Sequence, residues 1–249
     1  MVHFITRLAA ALTMFLFAQA SQAQERVSFS TQDGGLVFGD LYGKKGDRGV
    51  VLAHGGRLTK ESWEKQAQTL AATGFWALAI EFRGEGQSRG GIEGRPVDEG
   101  RYLDILAAAH YLRCIGTKSI SVIGASMGGD YAAEAAQADP DEIDNLVLLA
   151  SGAYTPLTKM KGRKLFIVAR DDASAEGLRL PKIRVQYAKG LEPKFLIILE
   201  GPAHAQFLFQ TNQGDRIMRE IVRFLQGHDP REGDIPGSLT LTRAGTAIR

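Results

Sequence analysis

The chain has 249 residues, 44% of them hydrophobic and 23% charged, with 30 basic against 28 acidic side chains and a formal net charge of +2. That balance is ordinary for a globular protein and excludes a disordered tail, or a collagen-like or coiled-coil rod, since the glycines and prolines are scattered without period. Near-neutrality supplies no basic surplus to neutralise a run of phosphates, so nucleic acid is excluded as the expected partner.

The first segment reads as an export signal. Arg7 gives a positive start, residues 8–18 are an apolar run, and Ser21-Gln22-Ala23 offers small residues for cleavage. The run is about half of the ~20 residues a bilayer requires. Cleavage after Ala23 is therefore expected to leave no membrane span and to release an exported protein, periplasmic or secreted. Residues 24–228 are expected to form one domain and 229–249 a flexible tail. The lone Cys114 cannot make an internal disulfide. At the end of an apolar helical run it is expected as a small buried hydrophobe rather than a catalytic thiol.

Residues 27–30 and 36–42 predict an opening antiparallel strand pair across the turn Asp33-Gly34-Gly35. The apolar runs 49–53, 75–82, 119–123, 145–150, 164–169 and 194–199 show little alternation, which suits central parallel strands covered on both faces. Helical spacing fills 60–73, 97–112, 127–137, 214–226 and, more weakly, 182–189. Residues 83–96, rich in glycine, read as loop. Strand–helix alternation of this kind predicts an α/β fold, a doubly wound and mostly parallel sheet with helices on both faces. In such a sheet the chemistry gathers beyond the carboxyl ends of the strands.

The strand at 119–123 runs through Gly124-Ala125-Ser126-Met127-Gly128-Gly129 directly into an alanine-rich helix. A turn that sharp brings backbone together two residues before and two after its apex, and Gly124 and Gly128 occupy those places. Ser126 is thereby presented at a helix start, where free N–H groups favour negative charge. A serine hydroxyl needs a base to take its proton. Of the five histidines, His3 leaves with the signal, His110 lies in a helical pattern and His228 opens the tail. His54 precedes Ser126 and is followed at once by Gly55-Gly56, which suits a structural brace of that loop. His204, just past the strand at 194–199, is the candidate base. The carboxylate that orients it is sought after the strand at 164–169, where Asp171 and Asp172 stand together; Asp172 is preferred because one further residue lets the turn aim its side chain along the sheet edge. Two backbone N–H groups must meet the charge on an attacked acyl oxygen, and Met127 and Gly56 fit that requirement.

With Ser126, Asp172 and His204 in that order, together with His54-Gly55-Gly56 and Arg83-Gly84-Glu85-Gly86-Gln87-Ser88, the chain resembles the α/β-hydrolase superfamily. The match runs over residues 36–226. The segment 83–88 is similar to the loop of small esterases, monoglyceride-lipase-like and serine-aminopeptidase-like hydrolases, although Glu85 stands where histidine is frequent. Dienelactone-hydrolase-like proteins share the compact layout but carry cysteine at the elbow. Ala205 follows the base where glycine is frequent, which implies a stiffer loop. The link 151–162 leaves no room for a helical cap, so an open pocket is expected. Together these imply a serine hydrolase acting on a small-molecule ester, with no cofactor or metal. Peptide or amide cleavage, acyl transfer or C–C hydrolysis by the same three residues stay open, as does a binding protein on the same fold. Arg57, Arg83, Arg89 and Arg95, in loops near the same edge, are candidates for favouring anionic acyl groups.

Overall fold

The computed structural model describes residues 24–44, 46–94, 96–152, 154–230 and 241–242. The expected signal, 1–23, lies outside them, as do Arg95 and most of the expected tail. The predicted runs of Val, Ile, Leu and Ala each form a strand: β1 Glu25–Ser30, β2 Leu36–Tyr42, β3 Arg48–Ala53, β4 Trp76–Ile80, β5 Ser119–Ala125, β6 Asn145–Leu149 and β7 Arg163–Ala169. A small hairpin of β8 Ala173–Ser174 and β9 Gly177–Leu178 follows, then β10 Lys194–Leu199 and β11 Leu241–Thr242. The main sheet has the order β1-β2-β4-β3-β5-β6-β7-β10-β11. From β4 to β10 every pairing is parallel; β1 and β2 pair antiparallel at one edge, and β11 pairs antiparallel with Phe195 and Leu196 at the other.

Among the described residues five α-helices connect or flank the strands: α1 Glu64–Ala72, α2 Arg101–Cys114, α3 Met127–Ala138, α4 Arg179–Lys189 and α5 Gly214–Leu225. Side chains alternate across each strand, so the central strands feed two cores. Val51, Leu78, Val122, Leu148 and Val168 pack with α2, α3 and α4, and Leu52, Ala79, Ile123, Leu149 and Ile167 pack with α1 and α5. The expected doubly wound arrangement is present. The β6–β7 connection carries no helix among its described residues.

Two expectations need correction. Residues Val97–Gly100 form a 3-10 turn and α2 begins only at Arg101, after Gly100, whose missing side chain leaves room for the Arg83 guanidinium. Cys114 is exposed rather than buried, with its sulfur 3.5 Å from His110 Nε2 one helical turn back. Among the described residues no helix is long and apolar enough to cross a membrane, and no group of three or more His, Cys, Asp or Glu could hold a metal ion.

Candidate active site

The turn from β5 into α3 forces Ser126 to φ 48° and ψ −119°, a conformation that a residue with a side chain holds only under strain. Neighbouring backbone fixes it there. The Ser126 N–H donates to the Leu149 carbonyl at 2.9 Å, and its own carbonyl accepts from Gly129 and Asp130. A Cβ on Gly124 would lie 2.5 Å from Gly129 Cα, and one on Gly128 would lie 2.5 Å from the carbonyl oxygens of both Ala53 and His54. The two glycines are therefore required by close approach, as the spacing implied.

His204 follows the end of β10 and heads the 3-10 turn Ala205–Gln210. Its Nε2 is 2.8 Å from Ser126 Oγ, and its Nδ1 is 2.8 Å from Asp172 Oδ2. A carboxylate opposite Nδ1 keeps the proton on that nitrogen and leaves Nε2 to accept from the serine hydroxyl. Asp172 is 1% exposed, while the neighbouring Asp171 is turned to solvent. The preferred acid of the pair is thus the one that meets the imidazole. Ala205 takes φ +53°, which accounts for glycine being the easier residue there.

Between β3 and α1 the N–H of Gly56 makes no hydrogen bond among the described residues, and neither does that of Met127 at the head of α3. A Cβ on Gly55 would stand 3.5 Å from Ser126 Cβ, and one on Gly56 3.9 Å from Met127 Sδ, so the two loops are in contact. The buried His54 acts as a brace: its Nδ1 is 2.9 Å from the Gly55 carbonyl and its Nε2 is 3.0 Å from Glu85 Oε2. Glu85 in turn lies 3.4 Å from Arg101, whose guanidinium reaches Met127 Sδ at 2.9 Å and sits over the rings of Phe82 and Tyr131.

Of the suggested arginines, Arg83 is not free to meet an anionic acyl group. Arg83 is buried and committed, with a two-pronged pair to Asp33 at 2.6 and 3.0 Å and contacts of 2.8 Å to Asp104. Those bonds hold the Asp33 carboxyl down at about 2. Arg57 and Arg89 are solvent-exposed, and Arg95 lies outside the described residues. A basic side chain that does meet the Ser126–His204–Asp172 set is Arg179, the first residue of α4, with Nε 3.3 Å from Asp172 Oδ1 and its backbone N–H on the Asp172 carbonyl at 2.9 Å. Asp130, on the α3 turn after Ser126, accepts from the Gly152 N–H, and burial pushes its carboxyl up. Arg179, Arg101 and Asp130 are reached by contacts far along the chain and carry no local motif, while Glu85 stands in the 83–88 segment with nothing there to mark its contact with His54. Two clefts, of about 390 and 580 Å³, lie between α1, α5 and the turn after His204, and Ser126 lines neither of them.

This sheet order, the helices on both faces and a serine at the β5–α3 turn define an α/β-hydrolase architecture. The family model described as alpha/beta hydrolase fold matches residues 49–194, more than half of the chain, and the chain belongs to that family. Its fold is also similar to that of solved hydrolase structures. One is an esterase of Pyrococcus furiosus, with a TM-score of 0.70 at 20% identity, covering 83% of this chain and 93% of that one. Another is a predicted CIB-like hydrolase of Thermoplasma acidophilum, with a TM-score of 0.65 at 21% identity over 83% of this chain and all of the other. An esterase of Exiguobacterium antarcticum matches with a TM-score of 0.65 at 13% identity, covering 81% of this chain and all of that one.

Proposed function

We propose that the protein is a serine hydrolase that cleaves carboxylic esters of small molecules through an acyl-enzyme. The observation that carries this reading is the pair of 2.8 Å contacts that joins Ser126 Oγ to His204 and His204 to Asp172. Ser126 Oγ attacks the ester carbonyl while His204 Nε2 takes its proton, and the negative oxygen that forms accepts from the N–H groups of Gly56 and Met127. Collapse breaks the bond to the alcohol, which leaves with the proton from His204. Water, deprotonated by the same imidazole, then attacks the acyl-serine, and the carboxylic acid departs as Ser126 regains its proton. Asp172 holds the ring in the working tautomer and stabilises the imidazolium. The route uses no metal or organic cofactor.

Serine at the elbow and a β6–β7 link with no helix among its described residues favour ordinary esters reaching an uncovered site. Short p-nitrophenyl esters should be turned over faster than aminoacyl anilides, and a fluorophosphonate should add its mass to the peptide that holds Ser126. Ser126→Ala should abolish the labelling and lower kcat by a factor on the order of 10⁴ or more. Near-normal esterase activity in that variant refutes the assignment. We further propose that residues 1–23 direct export to the periplasm or medium; N-terminal sequencing of the exported protein should begin at Gln24.

A further inference from the structure

The loop that would supply the first oxyanion donor contains two consecutive glycines, Gly55 and Gly56, the residues whose backbone is least restricted. An unpinned peptide plane there would swing, and a donor that swings does not stabilise developing charge. The plane that joins Gly55 to Gly56 is pinned: the Gly55 carbonyl accepts from the Leu58 N–H at 3.2 Å and from His54 Nδ1 at 2.9 Å. A trans peptide places N–H opposite C=O, so fixing that carbonyl aims the Gly56 N–H the other way. The preceding plane, which carries the Gly55 N–H, is pinned by a residue from the far side of the sequence. Gln206 Oε1 accepts that N–H at 2.8 Å, and Gln206 Nε2 donates to Ser62 Oγ at 2.6 Å. Because a backbone N–H can only donate, the amide orientation is settled by its partners. Gln206 is buried, 6% exposed, in the 3-10 turn that His204 heads.

We infer that Gln206 is a positioning residue that locks the oxyanion loop to the loop carrying the base, so that the Gly56 N–H and the His204 imidazole keep one fixed relation to Ser126. This rests on the hydrolase reading above. It differs from a packing role, because the side chain spends both ends of its amide on the neighbourhood of the oxyanion loop: one on the Gly55 backbone, the other on Ser62 at the entry to α1. Acylation and deacylation both pass through a negative oxygen, so loosening the donor slows whichever step limits the rate.

The test compares Gln206→Met, close in size but unable to pair with Gly55, and Ser62→Ala, which removes the outer anchor together with the Ser62 hydroxyl's own bond to the Thr59 carbonyl, with the wild-type protein. For p-nitrophenyl acetate, Gln206→Met should lower kcat about 10- to 100-fold with KM within about threefold. Its inhibition by phenylboronic acid, which captures the serine as a tetrahedral anion, should weaken by the same factor as kcat. The acid limb of the pH–rate profile should stay in place, since the His204–Asp172 contact is untouched. Ser62→Ala should show the same pattern at about threefold, reflecting partial loss of positioning. If Gln206→Met loses thermal stability alone, with kcat and boronate affinity unchanged at a temperature where it is folded, the inference is overturned. Should that variant fail to fold, unchanged kcat and boronate affinity in Ser62→Ala overturn it equally. Wild-type protein that neither hydrolyses esters nor takes up fluorophosphonate at Ser126 would instead bring down the hydrolase reading, and this inference with it.

Discussion

Arg179 places a guanidinium on the side of Asp172 that the imidazole does not use. Asp172 thus serves two cations in turn, one permanent and one that forms only when His204 takes a proton. The permanent charge competes with the imidazolium for the carboxylate and repels it. The same guanidinium helps to hold the buried Asp172 carboxylate in place, so Arg179→Met should lower kcat for a neutral ester by about threefold or more. Hydrolysis of a neutral ester by the folded variant measures this; an unchanged kcat rejects the role. At the residue scale, Ser126, His204 and Asp172 were legible because each stands at the end of an apolar strand with a turn signature beside it. Arg179, Arg101 and Gln206 were not, and Glu85 stood out only as a departure in the 83–88 segment, without a role. A guanidinium on a helix start and a glutamine after a histidine are ordinary local sequence, and only the fold puts them against Asp172, His54, Met127 and Gly55.

Among the elements, the strands were readable because parallel strands buried on both faces leave uninterrupted apolar runs. Helix ends were less so, since tertiary contacts set them. α4 begins three residues before its helical spacing becomes visible, and at its other end the Lys194 ammonium, from β10, donates to the carbonyls of Ala188 and Gly190 at 3.2 and 2.7 Å. A cation there satisfies otherwise unpaired helix carbonyls and opposes the negative end of the dipole, yet it comes from a strand that local periodicity cannot connect to α4. The β5–α3 elbow is tightly held by backbone on both sides. A methyl on Gly128 would meet two backbone oxygens of β3 and its following residue, neither able to rotate aside. Gly128→Ala should displace α3 from β3, destabilising the protein by about 1–3 kcal/mol and lowering kcat by about 100-fold or more through misplacement of Ser126. Urea unfolding together with ester hydrolysis checks both parts; a stable, fully active variant would mean that the elbow yields without consequence.

For the whole molecule, one sheet shares its two faces between two cores, so neither face can be lost while the other stays packed. Unfolding of the described domain should accordingly be a single transition, and its pH dependence should report groups that tie distant elements together. Arg83 is such a tie. It follows β4, grips Asp33 in the β1–β2 turn and Asp104 in α2, and closes the antiparallel edge of the sheet onto the helix layer. The sequence offered Arg83 as one of several loop arginines, because nothing local marks which of them is buried. Its hydrogen bonds hold the Asp33 carboxyl at about 2 against a usual 3.8. The folded state therefore binds fewer protons at Asp33 than the unfolded chain does, and the stabilisation is complete above pH 4, shrinks as pH falls from about 4 to about 2, and is gone below that. The corresponding free energy is about 2 kcal/mol at neutral pH. Asp33→Asn should lower the stability measured by urea unfolding by about that amount at pH 7, and the gap between variant and wild type should close as the pH approaches 2. A gap that persists unchanged in acid would mean that Asp33 holds the turn by shape and hydrogen bonding alone, with its charge contributing nothing to the join between sheet edge and α2.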